Sequence, residues 1–291
     1  MIPNNNLSVL PFYNSTEEQN ARKWWAYGRV YPLFTQAGFL LPFQIITEHT
    51  NFTTANITGA TIYDANTDQQ VAGITTTIKN NIVKKEFASL GYDVWIFSGQ
   101  LPVVNAIQDG RYYLLITWGS WQIVKVSEIF TVVNDIRPYL KITWWDLEDF
   151  TMDAGTIVYK NPAFKNILYI CTDIGKPEYI FEEEGETRDG YFFPAKQISE
   201  KRYRFSFLAS EYLLDVMRFI RMADFAEIEH NGQRYSLDTF LITPEWEDDG
   251  DIASVQAEFD TATVAKKIGL GYVKMQRGDF NDDFNNDFNN Q

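Results

Sequence analysis

One cysteine, Cys171, and two histidines, His49 and His230, are all that the 291-residue chain offers for thiol and imidazole chemistry. A single cysteine closes no internal disulfide, and together the three residues supply no three-histidine, four-cysteine or two-cysteine-two-histidine zinc site. Nucleophilic triads run through a histidine, and neither histidine has a nucleophile motif beside it. His49 ends a strand-like run, and His230 sits at a turn, where a surface residue is expected. Cys171 closes the apolar run Ile167-Leu-Tyr-Ile-Cys171, a setting in which a small buried hydrophobe is the default. No Walker loop or dinucleotide fingerprint is present, because Gly269-Leu-Gly271 lacks a third glycine and precedes no βαβ pattern. No catalytic residue, cofactor or metal site is expected.

Positive charge is also scarce. Against 39 Asp+Glu there are 25 Lys+Arg, a formal net charge of -14, and such a chain repels nucleic acid and anionic lipid unless its bases gather in one patch. The compact basic face formed by Lys201, Arg202 and Arg204, with the small patch Lys266-Lys267, falls short of a nucleic-acid footprint. The densest apolar stretch, Tyr112-Tyr-Leu-Leu-Ile-Thr-Trp118, is far below the roughly 18 residues of a membrane-spanning helix. The opening Met1-Ile-Pro-Asn-Asn-Asn has no basic stretch leading into an apolar run, so no signal peptide is expected.

What is abundant is apolar and aromatic. Hydrophobic residues make up 45% of the chain and aromatics 16%, with 8 Trp, enough to fill real cores. Short strand-like runs near 38–47, 55–63, 70–79, 92–97, 111–118 and 121–133 are punctuated by Gly and Asn, the pattern of a sandwich or barrel. Later runs alternate cleanly: Leu140, Ile142 and Trp144 against Lys141 and Thr143; Tyr203, Phe205 and Phe207 against Arg202, Arg204 and Ser206; Ala253 to Phe259 against Ser254 to Asp260. Each is a strand with one wet face. Ser15-Thr-Glu-Glu18 reads as a capping box opening a short helix to about Tyr27. Ser210 is placed to cap a helix over about 210–222, in which Leu213, Val216, Met217 and Ile220 form one stripe. Asn231-Gly232 predicts a type I′ hairpin pairing His230 with Gln233, Glu229 with Arg234 and Ile228 with Tyr235.

The fold class is therefore mostly β: two antiparallel β-sandwich or barrel-like domains with a few short helices and a flexible acidic C-terminal tail. Charge divides the chain, with 10 acids and 9 bases over 1–137, 25 and 16 over 138–278, and 4 and none over 279–291. The expected organisation is an N-terminal β domain (1–137) with a short leading helix, a more acidic β domain (138–278) with one helix, and an Asp-Phe-Asn repeat tail (279–291). The tail places Phe280, Phe284 and Phe288 four residues apart; it is either a solvated acidic end or an arm that orders when its phenylalanines enter a partner. It is not an EF-hand, since Phe284 stands where that loop needs Gly.

Carboxylates cluster at Asp146, Glu148, Asp149 and Asp153; at Glu182, Glu183, Glu184 and Glu186; and at Glu245, Glu247, Asp248, Asp249 and Asp251. Runs this dense are expected in solvated loops, and a glycosidase pair among them is left open. Tryptophan pairs are the stronger signal: neighbours on a strand face opposite sides, so one of Trp144 and Trp145 belongs to the core and the other to a surface. Interfaces favour Trp, Tyr and Arg. The candidate interface residues are Trp24, Trp25, Trp145, Arg202, Arg204, Phe280, Phe284 and Phe288.

The stretch from Tyr112 to Ile268 adds a resemblance. Val126-Ser-Glu-Ile-Phe-Thr131, Pro138-Tyr-Leu-Lys-Ile-Thr-Trp-Trp-Asp146, Tyr203-Arg-Phe-Ser-Phe207, Glu211-Tyr-Leu-Leu-Asp215, Pro244-Glu-Trp246 and Ala257-Glu-Phe-Asp260 together resemble virion structural proteins of tailed bacteriophages that infect Bacteroidetes, crAss-like phages included. The resemblance implies a non-enzymatic structural subunit of a tail, collar or baseplate ring, located in the virion after synthesis in the host cytoplasm. Its partners would be copies of itself and other tail or collar proteins, with no direct nucleic-acid reading and no membrane. The alternative is a carbohydrate-binding module or receptor-binding tail component that takes a surface glycan on exposed aromatic platforms.

Overall fold

A computed structural model describes residues 8–20, 33–35, 39–99, 107–120, 122–152, 155–188, 190–246, 252–261 and 265–268. In chain order the first half holds β1 (Phe12–Tyr13), α1 (Thr16–Asn20), β2 (Leu33–Thr35), β3 (Phe43–Glu48), β4 (Ile57–Asp64), β5 (Gln70–Gly73), α2 (Thr75–Asn81), β6 (Ile82–Phe87), β7 (Tyr92–Phe97), β8 (Gly110–Trp118), β9 (Ile123–Ser127) and β10 (Phe130–Val133). The second half holds β11 (Leu140–Trp145), β12 (Phe150–Met152), β13 (Gly155–Ile157), β14 (Asn166–Ile170), β15 (Glu178–Arg188), β16 (Tyr191–Ser210), α3 (Glu211–Met217), β17 (Phe225–His230), β18 (Gln233–Trp246), β19 (Ile252–Thr261) and β20 (Ala265–Ile268). The protein is mostly β, with several antiparallel sheets.

Strands β1-β9-β8-β10-β2 form one sheet, to which β4 and β5 attach through β8; its β10–β2 pairing is parallel. A three-stranded sheet runs β3-β7-β6. The largest sheet runs β14-β11-β17-β18-β19-β16-β15, with β20 on β16, and β12 pairs with β13. Among the described residues no pairing joins strands from the two sides of Asp135–Pro138.

Packing does cross that line. One continuous hydrophobic cluster reaches from Val9 to Phe259 and takes side chains from the first sheet, the three-stranded sheet, the largest sheet and α3. The three-stranded sheet is its hinge piece. Trp95, Phe97, Phe43 and Ile45 face the main cluster, where Trp95 meets Trp118 at 5.4 Å between ring centroids. Val94, Ile96, Ile46 and Tyr92 face the other way, onto Ile157, Val158, Tyr159 and Phe164 of the second half. All six residues of β7 are buried. The Gln44 side chain seals this contact as a strand would, donating to the Val158 carbonyl at 2.8 Å and accepting from the Val158 amide at 3.0 Å. Lys85 pairs with Asp149, and the Tyr92 and Thr156 hydroxyls hydrogen-bond across the same seam.

Local structure follows sequence pattern where one face is buried. Ser15 Oγ accepts from the Glu18 amide at 3.1 Å, and the Glu18 carboxylate reaches past the cap to the Asn14 amide at 2.9 Å; the continuation of that helix toward Tyr27 lies outside the described residues. The run 70–79 is a strand only to Gly73. Ile74, Ile78 and Ile82 are buried at four-residue spacing, so packing draws Thr75–Asn81 into a helix despite the β preference of its threonines. At Asn231 and Gly232 φ is 50° and 76°, and the register is the predicted one, with Arg234 3.5 Å from Glu229. Leu213, Val216, Met217 and Ile220 are buried, the last on a 3₁₀ turn that continues α3. Ser210, expected to cap this helix, does not: its hydroxyl is buried without a partner. No helix among the described residues is long and apolar enough to cross a membrane.

Phe259 packs against Tyr203, Phe205 and Tyr235, with ring centroids at 5.3, 6.3 and 6.0 Å. Phe259→Ala is expected to cost about 3–5 kcal/mol. Because the core is continuous, urea unfolding followed by tryptophan fluorescence should shift as a single transition; two separated transitions would contradict one shared core.

Candidate interaction surface

The acidic run Glu182–Glu186 is not a solvated loop. It belongs to β15, which pairs with β16 from Glu178↔Arg202 to Arg188↔Tyr191 with one irregularity at Glu184/Gly185. The strand tolerates its acids because β16 answers them: Lys196 Nζ lies 3.1 Å from Glu184, and Gln197 donates to Glu183 at 2.7 Å. From Glu178 to Thr187 every residue but Ile180 is exposed. The two strands, with β20 paired to the other edge of β16 at Lys196–Ser199, thus form an arm that runs beyond the packed body, and β15 is the terminal strand of its sheet. Tyr179 and Phe181, across from Lys201 and Ser199, continue the face on which Tyr203, Phe205 and Phe207 are buried, yet they are 57% and 71% exposed. At the arm's end Tyr191 and Phe192 are 73% and 48% exposed. Aromatic surface gathered in this way makes the arm the candidate interaction site.

Arg202 and Arg204 stand at the root of the arm, engaged by this chain's own carboxylates. Arg202 forms a two-pronged fork on Asp260 at 2.9 and 3.0 Å, and Thr239 Oγ1 donates to the same carboxylate at 2.9 Å. Arg204 lies 3.1 Å from both Glu258 and Glu178. Asp260, expected on a wet face, is buried for this reason. The Arg202 fork holds its carboxyl below the ordinary range against the opposing effect of burial, and the same hydrogen bonds raise the Arg202 guanidinium. The sequence signal for Glu258 and Asp260 was their two-residue spacing on the polar face of β19; the register against Arg202 and Arg204 was the missing piece.

Trp144 is fully buried and Trp145 partly so, as strand alternation requires. Trp145 is occupied from within: Phe225 stacks on it at 5.3 Å and Lys165 Nζ sits 3.5 Å from its ring centroid. Near Lys165 a cleft of about 350 Å³ is lined by Lys141, Thr143, Ile167, Glu227, Glu229 and Arg234 from the largest sheet and by Ser98 and Gly99 from the end of β7. The structure therefore brings Arg202 and Arg204 together at the arm, while Trp145 lies by the cleft. Trp24, Trp25, Phe280, Phe284 and Phe288 lie outside the described residues.

Two clusters pin loops and strand ends. Asp146 accepts from the Asp224 amide at 2.7 Å while Asp224 accepts from the Leu147 amide at 3.0 Å, and Asp149 holds the Tyr159 and Lys160 amides. Sequence reading also missed a group around fully buried Asp93. This carboxylate meets His49 Nδ1 at 2.7 Å, the Thr50 amide at 2.9 Å and Lys84 Nζ at 3.1 Å. Burial pushes Asp93 up, but these hydrogen bonds outweigh it and its pKa is lowered. An imidazole oriented by a carboxylate is half of a triad; among the described residues no hydroxyl or thiol hydrogen-bonds to its other nitrogen, and the group ties β6, β7 and the end of β3 together.

His230 is buried rather than at the surface, because it shares the inward face of β17 with Ile228; its Nε2 lies 3.3 Å from Asp173 and its Nδ1 has no partner. Cys171 is exposed rather than buried, because β14 ends at Ile170 and the chain turns there, the Thr172 amide bonding back to the Ile170 carbonyl. Among the described residues no group of three or more His, Cys, Asp or Glu is arranged to hold a metal. No protein-family model matches the chain, and no curated protein matches it.

Asp93 and Asp260 set the acid limb of stability. Each has a folded-state pKa below its ordinary value of 3.8, so its stabilisation is complete above that value and is lost as pH falls through the lowered one. Urea midpoints should hold near neutrality and fall as pH is lowered from about 5 toward about 2, and Asp260→Asn should flatten that fall. An Asp260→Asn variant with the wild-type acid dependence would remove Asp260 from the account.

Proposed function

We propose that this chain is a non-enzymatic structural subunit of a bacteriophage virion, part of a tail, collar or baseplate ring that forms by oligomerisation with copies of itself and with other tail or collar proteins. The observation that carries this reading is the β15–β16 arm, which presents Tyr179, Phe181, Tyr191 and Phe192 to solvent. A ribbon with exposed aromatics is costly to leave uncovered in water, and an assembly covers it. The phage setting rests on the resemblance of residues 112–268. In this reading the Asp-Phe-Asn tail is an arm that orders on a neighbour.

Light scattering and negative-stain imaging of the purified full chain are expected to give rings or large oligomers. A monodisperse monomer at every concentration would count against the ring. Deleting residues 279–291 is expected to abolish incorporation into particles, and normal particles would remove the tail from the reading.

A further inference from the structure

The arm and the cleft draw on different strands of the largest sheet: β15 with the first half of β16 builds the arm, and β14, β11, β17 and β18 line the cleft. From Glu178 to Thr187 every residue but Ile180 is exposed, so the arm is not seated in the cleft of its own molecule. It is available to a neighbour.

Pairing two arms edge to edge about a two-fold axis is disfavoured by charge. Glu182, Glu183 and Glu184 would meet their own equivalents, and like charges opposite one another destabilise a ladder. The arm calls for a surface of opposite sign, and this acidic chain has few. Lys84, Lys85, Lys160, Lys196, Arg202 and Arg204 are already within ion-pair distance of carboxylates of the same chain. Lys141 and Lys165 have no such carboxylate among the described residues, and both line the cleft beside Trp145. Arg234 lines it too, 3.5 Å from Glu229, with Glu227 as the other acid. Three cations against two carboxylates make this a locally positive spot on a chain of net charge -14.

We propose that the β15–β16 arm of one copy docks through Glu182 and Glu184, the latter exchanging its solvent-exposed pair with Lys196, on the Lys141–Lys165 cleft of a second copy. Deepening the assembly reading above, on which it rests, this contact is head to tail. It joins two different patches, so it propagates from subunit to subunit and closes into a ring when the rotation between neighbours closes. Charge-assisted hydrogen bonds from the two lysines to the arm's glutamates set the register, while Tyr179 and Phe181 alternate with those glutamates and face the other side of the ribbon.

The test is charge exchange in the full chain, read by sedimentation velocity. Wild type should associate with concentration and weaken at least tenfold between low and high salt, because the contact is ionic and screened. Glu182→Lys with Glu184→Lys should leave monomers, as should Lys141→Glu with Lys165→Glu. An equimolar mixture of the two double variants should reassemble, since each then carries the complement of the other. Glu182→Gln with Lys141→Gln, gentler on folding, should weaken association to an intermediate degree. Wild-type assembly in both charge-reversed proteins, or assembly indifferent to salt, would overturn the arm-to-cleft contact while leaving the assembly reading standing. A wild-type protein that stays monomeric would overturn both.

Discussion

The Gln44 side chain and the strand beside it decide what kind of molecule this is. A central strand buried on both faces reads as a nearly continuous apolar run, and β7 presents Tyr92, Val94, Trp95, Ile96 and Phe97 to two different partners, with Asp93 buried among its own hydrogen-bond partners. One partner is the first sheet. The other is a segment of the second half, Ile157 to Phe164, whose backbone at Val158 would be left with a buried unpaired amide and carbonyl if Gln44 did not satisfy both. Strand ladders stop at Asp135–Pro138, but burial does not: the main cluster takes residues from both sides, and β7 stands between it and the second cluster with Ile157 to Phe164.

Charge is distributed to serve the same economy of structure. The acids of the second half are in large part answered by cations across a strand or by backbone amides: Asp260 by Arg202, Glu184 by Lys196, Asp149 by Lys85 and two amides. Such pairs on open surface contribute little to stability, whereas Asp260 is buried and its two-pronged partner and Thr239 are both required. The Arg202 and Arg204 ladder sits where the arm joins the body. β20 adds a third strand to the arm at Lys196–Ser199; the ribbon beyond it is marginal alone in water, so the direction in which the arm projects depends on that pairing, on the ion pairs at its root and on the Tyr203 and Phe205 packing just inside them.

Much of this architecture was legible because one-sided burial leaves a period-two trace. Strands β11, β16 and β19, the α3 stripe and the Asn231-Gly232 register could be read from alternation, helical spacing and turn chemistry. What escaped depended on partners distant in sequence. The helix over Thr75–Asn81 is set by where Ile74, Ile78 and Ile82 pack, not by the threonines between them. His230 obeys the facing of its strand rather than its nearness to a turn, and Cys171 lies one residue beyond its strand. The acids of β15 looked like loop because the strand that neutralises them could not be paired with them from sequence. Arg202 and Arg204 stood out as interface candidates, but their carboxylate partners lie on β15 and β19, so the surface on offer is the arm they anchor.

The aromatic content then divides into two uses. Trp95, Trp118 and Trp144 are fully buried and fill the core, where large rings contribute most to stability. Tyr179 and Phe181 occupy the same sheet face as Tyr203 and Phe205 but lie past the point where any described residue covers them. A core face that continues beyond its core has the composition of an interior and the setting of a surface. The arm adds a strand edge and a row of glutamates to it, and those two features oppose random edge-to-edge association while leaving a charged, oriented contact favourable. The combination disfavours self-pairing of the arms, and that selectivity is what the proposed assembly would require of each of its subunits.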